Sequence, residues 1–78
     1  KDSRPFYFNY VSYKKGTDIL TESQQYRLCL DLLDEGYVVY VDDVESITRQ
    51  LTDLSERYGD RIRFGKPPED IKTLAVNL

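Results

Sequence analysis

Seventy-eight residues with a mass of 9.2 kDa, 40% hydrophobic and 32% charged, describe one small soluble domain and leave no room for two. A chain this short buries only about 60 to 65% of the surface its unfolded form exposes, so the core is small and a large enclosed active-site cavity is not expected. Eleven Lys and Arg against fourteen Asp and Glu give a net charge of -3 and a pI near 4.8, which argues against a general binder of phosphate backbones. No apolar run approaches the length of a membrane span, and Lys1 to Pro5 lack the apolar stretch of a secretory signal, so a cytoplasmic protein without a membrane partner is expected. The absence of an initiating Met points to a processed chain or an excised fragment. Cys29 is the single cysteine and there is no histidine. An internal disulfide is thereby excluded, the usual transition-metal clusters are missing, and so is the commonest general base. The expectation is a non-enzyme without a cofactor.

The first element is a strand within residues 5–14, where aromatic residues alternate with period two. Phe6, Phe8, Tyr10 and Ser12 would share one side, and Tyr7, Asn9, Val11 and Tyr13 the other. Large rings on both faces make it a central strand. The loop from Lys15 to Asp18 ends it. Thr21-Glu22-Ser23-Gln24 then reads as a capping box that opens a helix. Tyr26, Cys29, Leu30 and Leu33 form its apolar stripe, Leu28 and Leu32 stand off to the side in need of a cover, and Gly36 is a left-handed stop.

Tyr37 to Val41 is a buried strand. Asp42 and Asp43 end it, and either can cap the next helix. That second helix, from Val44 to Tyr58, carries the stripe Val44, Ile47, Leu51, Leu54 and Tyr58 and stops at Gly59. Arg61 to Phe64 is a short strand, and Gly65 to Asp70 is a turn held out of any ladder by Pro67 and Pro68. Residues 71–78 fit a strand or a helix, with the alternation of Leu74, Val76 and Leu78 favouring a strand. The result is a small single α/β domain, a β-α-β-α-β chain with a mainly parallel three-stranded sheet in the order 2-1-3. One helix lies on each face, and an extra C-terminal strand is possible. Ligands in such sheets favour the carboxyl ends of the strands at the switch in strand order.

Three groups of residues carry functional readings. Between Asp31 and Glu45 stand six acids (Asp31, Asp34, Glu35, Asp42, Asp43, Glu45) and no base, whereas Arg57, Arg61, Arg63 and Lys66 cluster around Asp60. With Leu28 and Leu32 the acids suggest a surface for a partner protein or for self-association: a non-catalytic interaction module such as an adaptor, a regulatory domain or a small inhibitor. The alternative is an anion site for a phosphate, nucleotide or nucleic acid, built from Tyr13, Lys14, Lys15, Gly16 and Lys66 on the sheet rim. Neither Walker nor G-x-G-x-x-G spacing is present. Tyr7, Tyr10 and Tyr13 could stack nucleic-acid bases, although a core built of rings accounts for them as well.

The third group is Asp42 and Asp43 as ligands of a hard cation. In letters, Tyr40-Val41-Asp42-Asp43 is similar to the Y-x-D-D signature of reverse transcriptases. That resemblance implies two acids in a turn between strands and a third acid elsewhere. A helix pattern comes next here instead, and the activity is not carried over.

Overall fold

A computed structural model describes residues 4–12, 20 and 23–77, the last by its backbone alone. Its elements are β1 (Phe6–Phe8), α1 (Gln24–Asp34), β2 (Val39–Val41), α2 (Glu45–Gln50), α3 (Thr52–Tyr58), a 3-10 turn (Gly59–Arg61), β3 (Ile62–Phe64) and β4 (Leu74–Asn77). All three strand pairings are parallel, and the order is β3-β2-β1-β4. The expected central position of β1 holds, as does the C-terminal strand. The expected order 2-1-3 is corrected, because β3 lies outside β2 and β4 takes the place beside β1.

The same correction moves the helices. From β1 to β2 and from β2 to β3 the chain steps in one direction, so two right-handed crossovers put both helical segments on one face rather than one on each. The core agrees: Phe8, Val39, Val41 and Ile62 form a single cluster with Cys29 and Leu33 of α1 and with Ile47, Leu51, Leu54 and Tyr58 of the second crossover. These sheet residues share a face in register, since Phe6 pairs with Val39, Val39 with Ile62, and Phe8 with Val41. The other face carries Tyr7, Tyr40 and Arg63 side by side, with Ala75 next to Tyr7. From β3 to β4 the chain steps back across the sheet, so a right-handed connection through 65–73 lies on that second face.

β1 is shorter than expected. The alternation stops at Phe8, and Val11 and Ser12, assigned to opposite sides by a continued strand, are both fully buried. The capping box is also displaced. The N-cap is Ser23, whose side chain accepts from the amide of Tyr26, while Thr21 and Glu22 lie outside the described residues. At the other end of α1, Gly36 has φ of 97°, its amide donates to the carbonyl of Leu33, and the amide of Tyr37 reaches Leu32. This is a Schellman stop of the kind glycine permits. The second helix is not continuous, being divided at Leu51 with φ of -94° and ψ of 4°. At that break the Thr52 hydroxyl donates to the carbonyl of Arg49, and just before it Thr48 donates to Glu45 and Gln50 to Ser46. Such side-chain bonds compete with the helical ladder for its carbonyls. The inward stripe survives the break, except that Val44 precedes the helix and is 39% exposed.

Candidate ligand site at the carboxyl rim of the sheet

Every strand of a parallel sheet presents its last carbonyls and the turn after it at one rim. Here that rim carries residues 9–12 after β1, Asp42, Asp43 and Val44 after β2, and Gly65 and Lys66 after β3. Strand succession reverses between β1 and β4, so the switch point falls at that junction rather than between the first and third strands. The pairing of β1 with β4 shifts register between Tyr7 and Phe8, at the same end of the sheet.

The two adjacent acids at the end of β2 have different surroundings. Asp43 turns inward: one carboxylate oxygen accepts from the amides of Val11 at 2.8 Å and Ser12 at 3.3 Å, and the other accepts from the amide of Val44 at 2.7 Å. It does not cap α2 in the usual sense, since the N-cap position is Val44 and has no side-chain cap. The carbonyl of Val11 is held from the opposite direction by the Ser23 hydroxyl at 2.5 Å, and the same hydroxyl oxygen accepts from the amide of Tyr26 at 3.1 Å. The chain leaving β1 is thus fixed to β2 through Asp43 and to the start of α1 through Ser23.

Asp42 lies on the other side of the rim, accepting from the Tyr7 hydroxyl at 3.2 Å. Burial, then the nearby carboxylate and its hydrogen bond, push the Tyr7 phenol above its usual range. Elsewhere on this rim two large apolar side chains remain exposed, Val44 and Phe64, each at 39%. Phe64 pairs with Val41, and the amide of Gly65 donates to the Val41 carbonyl, so both apolar groups belong to the β2 and β3 part of the rim. The rim thus offers a carboxylate that takes a hydroxyl donor and, separately, exposed apolar surface.

The expected anion site is only partly described. Tyr13, Lys14, Lys15 and Gly16 lie outside the described residues. Lys66 is exposed at the end of β3, with β2 between it and β1, roughly 10 Å away at normal strand spacing. The stacking platform meets a similar limit, because Tyr13 is undescribed and the Tyr7 hydroxyl is bonded to Asp42. Tyr40, its neighbour in register, is 4% exposed, with Arg63 over its ring and bonded to its hydroxyl.

The acidic run, continuous in sequence, divides in space. α1 runs against the strands, which puts Asp31, Asp34 and Glu35 toward the amino rim, while Asp42, Asp43 and Glu45 stand at the carboxyl rim. At the amino rim the acids meet the basic cluster. Asp34 accepts from the Tyr58 hydroxyl at 2.5 Å, and Arg57 and Arg61 lie over the Tyr58 ring at 5.3 and 5.5 Å. Glu45 pairs with Arg49 on the surface of α2 at 2.8 Å. Of the two leucines, Leu28 is 41% exposed and Leu32 packs against the core.

Sequence reasoning missed Ser23 as the cap and Val44 and Phe64 as rim residues. The only signal for Ser23 was its place two residues into a capping box; nothing local marked the other two. Among the described residues no group of three His, Cys, Asp or Glu side chains could hold a metal, and no helix is long and apolar enough to cross a membrane. Comparison with protein-family models, curated proteins and solved structures finds no match.

Proposed function

We propose that this chain is a non-catalytic α/β unit that binds a nucleotide or a related phosphate ester at the carboxyl rim of its sheet. The observation that carries the reading is the wholly parallel order β3-β2-β1-β4, in which strand succession reverses beside β1. This is the order in which doubly wound dinucleotide-binding sheets arrange their first four strands, and their ligands lie over the carboxyl ends at the switch point. In that arrangement an acid after the second strand accepts from ribose hydroxyls, a role that suits Asp42. Val44 and Phe64 offer apolar surface for a base, Lys66 supplies positive charge after β3, and Lys14 and Lys15 follow β1 in sequence. One departure weakens phosphate binding: Gly16 is the single glycine between β1 and α1, where a glycine-rich turn would let backbone amides approach phosphate.

The test is an NMR titration of labelled protein with adenosine, AMP and inorganic phosphate. Saturable shifts at Asp42, Val44, Phe64 and Gly65 below about 1 mM, equivalent to about 4 kcal/mol, support the reading. Asp42→Asn should weaken adenosine and AMP alike. A flat titration with all three ligands removes the proposal.

A second reading, a surface for a partner protein or another copy, is favoured by the exposure of Leu28 beside Asp31 on the outer side of α1. Charge reversal at Asp34, Asp42 or Asp43 would disturb internal hydrogen bonds, so Leu28→Glu and Asp31→Lys are the cleaner probes. Sedimentation that shows a single monomeric species up to about 1 mM, a concentration equivalent to about 4 kcal/mol of association, argues against self-association.

A further inference from the structure

From the clamp at the end of β1 we infer that Asp43 and Ser23 are positioning residues for the rim, with Asp42 as the acid that meets the ligand; this rests on the nucleotide-binding reading above. Two adjacent carboxylates on one turn invite the view of a joint site, but their partners divide the work. The Asp43 carboxylate is occupied by three backbone amides from two segments of chain, those of Val11, Ser12 and Val44. Ser23 holds the Val11 carbonyl and, through the amide of Tyr26, the first turn of α1. Val11, Ser12 and Ser23 are all almost wholly buried, so water cannot readily replace the bonds they make. With amides gripped on one side and a carbonyl on the other, the exit of β1 has a fixed distance from Asp42 and from the start of α1. Any ligand that spans the β1 and β2 ends needs that distance held, because a site whose supporting groups are loose by even a small displacement binds poorly.

The experiment compares wild type, Asp43→Asn, Ser23→Ala and the double variant, with AMP affinity read by titration at a temperature where each is fully folded by circular dichroism. Asp43→Asn keeps the side-chain shape and one acceptor but turns an amide nitrogen toward backbone donors; Ser23→Ala releases the Val11 carbonyl. Each single change should weaken AMP about tenfold. Because both act on one segment, the double variant should fall well short of the hundredfold loss that independent sites would give. A purely structural role would lower the melting temperature of the variants and leave the affinity of the folded protein unchanged. That result overturns the inference, as does a double variant whose losses multiply in full. Failure of the wild type to bind AMP, adenosine or phosphate overturns the nucleotide reading itself and the positioning role with it.

Discussion

Asp43 and Asp42 differ by one position and by almost everything around them. Hydrogen bonds to a charged group contribute about 1.5 to 3 kcal/mol each, and removing the acceptor leaves donors that must find other partners. Asp43→Ala, which strands the amides of Val11, Ser12 and Val44, should cost about 2 to 3 kcal/mol. Asp42→Ala, which frees only the Tyr7 hydroxyl from a bond of 3.2 Å, should cost less, about 1.5 kcal/mol, the low end for one bond to a charged group. Denaturant midpoints of the two variants check the contrast, and equal losses would contradict the division of roles. Cys29 makes a second residue-scale case. Fully buried in the helix face of the core, its thiol is pushed up to about 12 by burial. At pH 8 the native protein should therefore resist a disulfide reagent and react at the rate of its unfolding, with denaturant restoring fast labelling. Rapid labelling of the native state would show that the first helix opens freely.

At the scale of elements, α1 is the best determined piece. Its inward residues Cys29 and Leu33 are fully buried, Tyr26 and Leu30 pack against the cluster, and both ends are closed by backbone-specific devices, Ser23 and Gly36. A Cβ built on Gly36 meets nothing nearer than the Arg61 guanidinium at 3.8 Å. The cost of Gly36→Ala is therefore conformational rather than steric, about 1 to 2 kcal/mol for a non-glycine residue in the left-handed region. Thermal melts measure it, and a neutral effect would mean the stop re-forms in another geometry. Leu33→Ala should cost more, about 2 to 5 kcal/mol, because it leaves a cavity between α1 and the sheet. The second crossover shows the limit of periodicity. Ile47, Leu51, Leu54 and Tyr58 are all buried as their spacing requires, yet the helix divides at Leu51, where threonine hydroxyls take carbonyls from the ladder. A 3.6-residue pattern reports which side faces the core, not whether the backbone bonds run unbroken.

For the molecule as a whole, the titratable groups with raised pKa values set a limit on the alkaline side. Tyr26 is raised by burial and by the charge of Asp53; Tyr58 is raised chiefly by its hydrogen bond to Asp34. Tyr7 and Cys29 are raised chiefly by burial. Each holds its proton more tightly folded than unfolded, so the stability it contributes is complete below the unfolded value and lost as pH rises through the folded one. With ordinary values of 9.0 for the thiol and 10.0 for the phenols, unfolding free energy should fall from about pH 9 upward. Tyr58→Phe should make that slope shallower while lowering stability at neutral pH by about 1.5 to 3 kcal/mol for the missing bond to a charged partner. Denaturation curves from pH 7 to 11 test both statements, and a flat profile would deny the tyrosines their native environment.

What could be read along the chain is what local chemistry decides. Residues 39–41 are a strand because β-branched and aromatic side chains fill both faces, Gly36 stops a helix because its φ is positive, and Cys29 lies inward because of its place in a helical stripe. The parallel sheet came from the alternation of strands and helices, and the central β1 from the large rings on both its faces. Strand order did not. Placing β3 beside β2 or beside β1 preserves every local preference, and the choice depends on which packing lets both helical segments share one face with Phe8, Val39, Val41 and Ile62. Tertiary structure alone also separated the acidic run into two ends of the sheet, brought Arg57 and Arg61 up to Asp34 through Tyr58, and turned Asp43 inward while leaving Asp42 at the rim. Charges that are neighbours in sequence are carried here to opposite ends of the sheet by one strand, because β2, lying between Glu35 and Asp42, runs from the amino rim to the carboxyl rim.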